Sequence, residues 1–123
     1  MRAAGKLAVA LAVVAAVLLA CNTPTIPIPP LGAPTFQSPA QEVWIASGTG
    51  APAAAEIVLI NRATGDGVVT RVDQAGAWMT APFGGAGGDI VELFYRTTTG
   101  DVSPSVCSML ATGTPGTVTC PSP

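Results

Sequence analysis

The chain has 123 residues, the length of one small domain, which excludes a multidomain enzyme. Only 10% of the residues are charged and the formal net charge is −2, so nothing is available to neutralise a row of phosphates and electrostatic nucleic-acid binding is excluded. Gly (14) and Pro (12) make up about a fifth of the chain, which argues against a helical bundle.

Residues 1–6 carry two cations, Arg2 and Lys6, and no anion. Leu7 to Ala20 is an unbroken apolar run of 14 residues. A basic start followed by a short hydrophobic core is the layout of a secretory signal peptide. A transmembrane helix needs about 20 apolar residues, and this run falls short. The run ends in Leu18-Leu19-Ala20-Cys21. This ending resembles the lipobox of bacterial lipoproteins, in which a leucine and small residues precede an essential cysteine. The resemblance implies that residues 1–20 are removed and that Cys21 carries a diacylglyceryl group, with further acylation of its new amino group. Two or more acyl chains anchor stably, whereas one holds only marginally. The resemblance also places the protein in the cell envelope. Asn22 rather than Asp after the lipidated cysteine fits the outer membrane or cell surface better than the inner membrane.

Cysteine arithmetic agrees with this reading. Three cysteines are an awkward number for an exported protein. With Cys21 lipidated, Cys107 and Cys120 remain as a pair for a disulfide in an oxidising compartment. Two thiols without histidine leave a zinc site short of ligands, so no metal and no cofactor are expected.

Residues 21–40 then form the lipidated cysteine and a proline-rich tether. Asn22 to Pro39 holds six prolines in 18 residues and no charge. Extended as polyproline II at ~3.1 Å per residue, it would reach ~55 Å and lift a domain off the headgroups. Two alternatives stay open: a ligand for proline-recognition modules, and folding of Ile26, Ile28, Leu31 and Phe36 back onto the domain.

Residues 41–123 carry the pattern of short strands separated by Gly, Asn and Asp turns about every ten residues, as in a sandwich or barrel. Strands are expected at Glu42–Ser47, Glu56–Asn61, Val68–Asp73, Ala77–Ala81, Ile90–Thr97 and Ser105–Leu110, with a weak final strand at Thr117–Cys120. The fold class is therefore all-β, a small β-sandwich of about seven strands. Alternation assigns Val91, Leu93 and Tyr95 to the core, because Glu92 and Arg96 belong to the solvent face. Ile57 and Leu59, Val43 and Ile45, and Val72 and Trp78 are expected to complete it. Trp44, Val58, Ile60, Ile90 and Phe94 are then expected to face outward and form an apolar patch suited to an envelope-protein partner. The alternative is that the tether or the C-terminal segment covers the patch.

The stretch Gly48 to Ser103 resembles the bacterial immunoglobulin-like domains found in cell-surface and secreted proteins. The matching residues are Gly48, Pro52, Ile57-Val58-Leu59-Ile60-Asn61, Thr64-Gly65, Val72-Asp73, Gly76-Ala77-Trp78, Gly88-Asp89 and Gly100-Asp101-Val102-Ser103. The resemblance implies an immunoglobulin-like sandwich. Asp101 stands where Asn is usual, and Cys107 and Cys120 lie outside the pattern. A transthyretin-like or carboxypeptidase-regulatory-like sandwich shares the same turn chemistry and is the second fold expected.

Catalytic sets are scarce. The chain has no histidine, so no Ser-His-Asp or Cys-His arrangement can form. Its only lysine, Lys6, lies in the leader, which removes Ser-Lys dyads and Schiff bases. Asp66, Asp73, Asp89 and Asp101 sit at expected turns, where Asp commonly caps the backbone. Their alternative role is a calcium site at one sandwich pole. Gly84-Gly85-Ala86-Gly87-Gly88 lacks the following helix and lysine of a phosphate loop and is expected to be a flexible connection. The expected function is a lipid-anchored binding or structural module without catalysis. An accessory domain, or an envelope enzyme or inhibitor of another kind, is the alternative.

Overall fold

The computed structural model describes residues 27–122. The leader, Cys21 and the first part of the expected tether lie outside the described residues. The described chain forms β1 (Thr35–Ala40), β2 (Val43–Gly48), β3 (Glu56–Asn61), β4 (Gly67–Arg71), β5 (Trp78–Met79), β6 (Phe83–Gly84), β7 (Ile90–Arg96) and β8 (Val106–Met109). All paired strands are antiparallel. One sheet has the order β1-β2-β5, with β6 also on β2, and the other has the order β4-β3-β7-β8. The architecture is all-β, with two sheets around a shared apolar core, as expected of a small sandwich.

Sheet β4-β3-β7-β8 follows the expected alternation. Ile57 and Leu59 of β3 and Val91, Leu93 and Tyr95 of β7 are all buried, while the residues between them are half-buried. The ladder pairs Ile57 with Tyr95 and Leu59 with Leu93, so the inward side chains of the two strands stack side by side. Phe36, Trp44 and Ala46 of the other sheet join the same cluster, with Val72, Trp78, Phe83 and Leu110 at its margins.

In β2 the faces are inverted relative to expectation. Trp44 and Ala46 are buried, and Val43 and Ile45 are only half-buried. Val-Trp-Ile-Ala is apolar on both faces, so only its flanks could set the phase. The nearest charge, Glu42, lies in the β1–β2 turn with φ of 60° and reports neither face. The Trp44 indole N–H donates to Gly85 O at 2.8 Å, which lets the ring go inward without losing its hydrogen bond.

The second difference is β1. It occupies Thr35–Ala40, inside the stretch expected to be tether, so the folded unit begins before the expected boundary at residue 41. Pro39 is tolerated there because β1 is an edge strand and a register irregularity separates Gln37 from Ala40. Phe36 is fully buried and exchanges backbone hydrogen bonds with Gly113, 2.7 Å and 2.9 Å long. Upstream of it, Leu31 and Pro34 are buried and Ile28 packs against the core. The Tyr95 hydroxyl donates to Pro29 O at 2.6 Å, fastening the same segment to β7. Ile28, Leu31 and Phe36 therefore fold back onto the domain, because burying Leu31 and Phe36 gains more than polyproline stiffness opposes, while Ile26 lies outside the described residues. At about 25 cal/mol per Å² of apolar surface, two such side chains are worth several kcal/mol.

The strand ends define two poles. At the entry pole lie the start of β3, the ends of β4 and β7, the 49–55 loop and the Thr97–Asp101 turn. Gly32 and Ala33 line a cleft there with Thr49, Ala77 and Trp78, so the chain enters the domain at this end. Close backbone approach is enforced by Gly76 (φ 84°), where an added Cβ would stand 2.9 Å from Ala51 O. At the far pole lie the Gln41–Glu42 turn, the Asn61–Gly67 turn and the Gly84–Asp89 loop.

Tyr95→Phe keeps the buried ring and removes only the hydroxyl that holds Pro29. The variant should lose about 1 kcal/mol of unfolding free energy in urea titration, with an unchanged slope.

Candidate functional site

The outer face of sheet β4-β3-β7-β8 brings together most of the expected patch. Val58 pairs with Phe94 on one side and Val69 on the other. Ile60 lies one outward step along β3, opposite Glu92 and Gly67. Ile90 pairs with Met109 of β8. Val58, Ile60, Ile90 and Phe94 are each half-buried. Trp44 is the correction: it belongs to the opposite sheet, faces the core and is no part of this patch. Alternation in β2 alone could not reveal this, because its phase was set by a turn residue. Two residues missed in the sequence extend the face, Val69 at 58% and Met109 at 42% exposure. Each is the outward residue of an edge strand, which the period-two pattern could have signalled.

The C-terminal segment covers one side of this face. Val118 makes a backbone bridge to Cys107, and a disulfide joins Cys107 to Cys120. Cys107 sits opposite Glu92 and is fully buried under the segment. Arg62 completes the cover: it pairs with Glu92 at 3.3 Å and donates to Pro121 O at 3.3 Å. Ser108 Oγ also donates to Gly116 O at 2.6 Å. The expected weak strand at Thr117–Cys120 is reduced to that single bridge, held by the crosslink rather than by a ladder. Closing a loop of this length stabilises by about 3 kcal/mol on the chain-entropy model. The open part of the face is therefore centred on Val58, Phe94 and Val69. Glu56 stands at its rim between Arg71 and Arg96 of the neighbouring strands.

The four aspartates divide between the poles. Asp73 Oδ1 accepts from Ala75 N and Ala77 N, both at 2.9 Å, closing the β4–β5 turn. Asp101 accepts from Thr99 Oγ1 at 3.1 Å in the turn after β7. Both lie at the entry pole. Asp89 and Asp66 line a cleft at the far pole with Glu42. The three carboxylates of that cleft are not among the described residues whose ligand atoms converge. Among the described residues, Glu92, Cys107 and Cys120 bring potential ligand atoms within 4.8 Å of one another. The disulfide consumes both thiols, which leaves one carboxylate and no ligand set.

The far pole is organised by Asn61. This side chain is fully buried at the end of β3 and uses all its polar atoms. Oδ1 accepts from Ala63 N at 2.8 Å and Thr64 N at 3.4 Å, while Nδ2 donates to Asp89 Oδ2 at 3.1 Å and Gly84 O at 3.4 Å. Asp89 also accepts from Ala86 N at 2.9 Å. The glycine run is thus a braced loop rather than a flexible connection. The Asn61 amide, and then the Ala86 N–H, hold the Asp89 carboxyl below the usual carboxylate range.

Compared with known proteins, the chain matches no family model, no curated protein and no solved structure. The site must therefore be read from its own geometry.

Because the Asp89 pKa is lower in the folded state, its contribution to stability is present above the unfolded value near 3.9 and is lost as pH falls through the folded value. Stability should therefore decline between neutral pH and about pH 3, and Asp89→Asn should make that decline shallower. Urea titrations of both proteins at the two pH values check this.

Proposed function

We propose that the protein is a lipid-anchored component of the bacterial cell envelope. It displays one small immunoglobulin-like module that binds another envelope protein and performs no catalysis of its own. The observation that carries this reading is the charged-then-apolar leader ending in Leu18-Leu19-Ala20-Cys21. The Cys107–Cys120 disulfide supports it: the crosslink needs an oxidising compartment and leaves Cys21 as the one cysteine free for lipid. The module assignment is supported by strand order. Sheet β4-β3-β7-β8 opposite β1-β2-β5 is compatible with an immunoglobulin-like sandwich whose third strand carries an extra partner. On this reading β5 and β6, both paired with β2, are two pieces of one interrupted strand. The lack of histidine, and of lysine beyond the leader, supports binding over acid–base or covalent catalysis.

The face that meets the partner is the open part around Val58, Phe94 and Val69, rimmed by Glu56, Arg71 and Arg96. A mixed-charge rim around an apolar centre suits a protein surface of like construction.

Two outcomes test these statements. Cys21→Ala should abolish incorporation of labelled fatty acid and move the protein from the membrane pellet to the soluble fraction. Full membrane retention of that variant would overturn the anchor. Phe94→Asp should leave the disulfide-bonded fold intact and reduce recovery of crosslinked envelope proteins from native membranes at least several-fold. Unchanged recovery would overturn the docking face.

A further inference from the structure

The buried N-terminal segment changes what an anchor at Cys21 does to the domain. A free 18-residue tether would have allowed about 55 Å of reach and any orientation. Pro29 is instead fixed to Tyr95, Leu31 and Pro34 are buried, and β1 begins at Thr35. Only eight residue steps separate Cys21 from Pro29, a contour of at most about 29 Å even if fully extended. That is comparable to the strands themselves, which at about 3.3 Å per residue span roughly 20 Å. The domain cannot drift far from its anchor, and the entry pole, where Gly32 and Ala33 lie, is the end reached with the least extension of that linker.

Charge agrees with this placement. The described residues of the entry-pole half carry Arg71 and Arg96 against Glu56, Asp73 and Asp101. The far half carries Arg62 against Glu42, Asp66, Asp89 and Glu92, and Arg62 is paired with Glu92. Glu42 and Asp66 are exposed and Asp89 is half-buried at the pole opposite the anchor, and among the described residues none of the three has a cation partner. An anionic bilayer repels that pole and tolerates the other. The exposed tips of the entry pole are mostly uncharged: Pro52, Ala53, Thr98 and Thr99 are exposed and Val102 is 53% exposed, with Asp101 the one acid in the Thr97–Val102 segment.

We infer that the anchored domain stands on its entry pole, with the 49–55 loop and the Thr97–Val102 segment against the lipid surface and the acidic pole outward. The partner of the entry pole is the phospholipid surface itself. The inference rests on lipidation of Cys21. It places the β-strands across the plane of the bilayer and the face around Val58, Phe94 and Val69 to the side, open to a neighbour held in the same membrane.

The test uses the full-length, lipid-carrying chain, purified from membranes and reconstituted in phosphatidylethanolamine–phosphatidylglycerol vesicles containing a rhodamine-headgroup lipid. Thr98→Cys and Ala53→Cys at the entry pole, and Ala63→Cys and Gly87→Cys at the far pole, are each labelled with a donor fluorophore. None of these side chains makes a hydrogen bond within the domain, and two sites per pole guard against a variant that misfolds. Donors at the entry pole should transfer energy to the lipid several-fold more efficiently than donors at the far pole. A second variant, with a long Gly/Ser spacer inserted after Asn22, should remain vesicle-bound and lose that difference. Equal or reversed transfer in protein that floats with the vesicles would overturn the orientation while leaving the anchor intact. Failure of the unmodified chain to float with vesicles would overturn both.

Discussion

The ladder between β3 and β7 is the constraint on which the rest of the molecule depends. Its six paired positions run from Glu56 opposite Arg96 to Asn61 opposite Val91. Because side chains alternate, fixing this register fixes two surfaces at once. Ile57, Leu59, Val91, Leu93 and Tyr95 become the floor of the core. Val58, Ile60 and Phe94 become the outer face. A slip of one residue would bury Glu92 and expose Leu93, so the core strongly selects the observed pairing.

The ends of that ladder anchor the two poles. At one end, Tyr95 reaches through the core to Pro29 and so determines where the N-terminal segment lies. At the other, Asn61 carries the polar network that holds the Arg62–Asp66 turn and the glycine loop together. A buried amide with every polar atom matched is favourable, whereas one left half-satisfied would be costly. The pole therefore stands or falls as a unit, and the low Asp89 pKa is its electrostatic signature. The disulfide acts on a third side, where it holds a short C-terminal segment over Cys107 and leaves the β3–β4 half of the outer face open.

The proposed function follows from the way these parts limit one another. A lipid on Cys21 combined with a free tether would give a mobile head. The same lipid combined with a strapped N-terminal segment would hold the domain close to the bilayer, which is the basis of the orientation proposed above. In that proposed orientation the face around Val58, Phe94 and Val69 would be directed sideways, toward partners that share the membrane.

Much of this was legible in the residues alone. The all-β class, the bounds of β3 and most of those of β7, the core set of those strands and the Cys107–Cys120 pair all rest on local signals: turn chemistry, alternation with a charged marker and cysteine parity. In β7, Glu92 and Arg96 mark the solvent side, so its phase was determined by sequence. β2 has no such marker within the strand, and only its partners, Phe36 opposite Ala46 and Phe83 opposite Trp44, decided which face went inward. The same holds for residues 28–40. Their prolines carry a local preference for an extended chain, and their buried leucine and phenylalanine carry a non-local demand for a core. Local preference is visible one residue at a time. Burial depends on what lies opposite, and only the tertiary structure brings Tyr95 and Gly113 there.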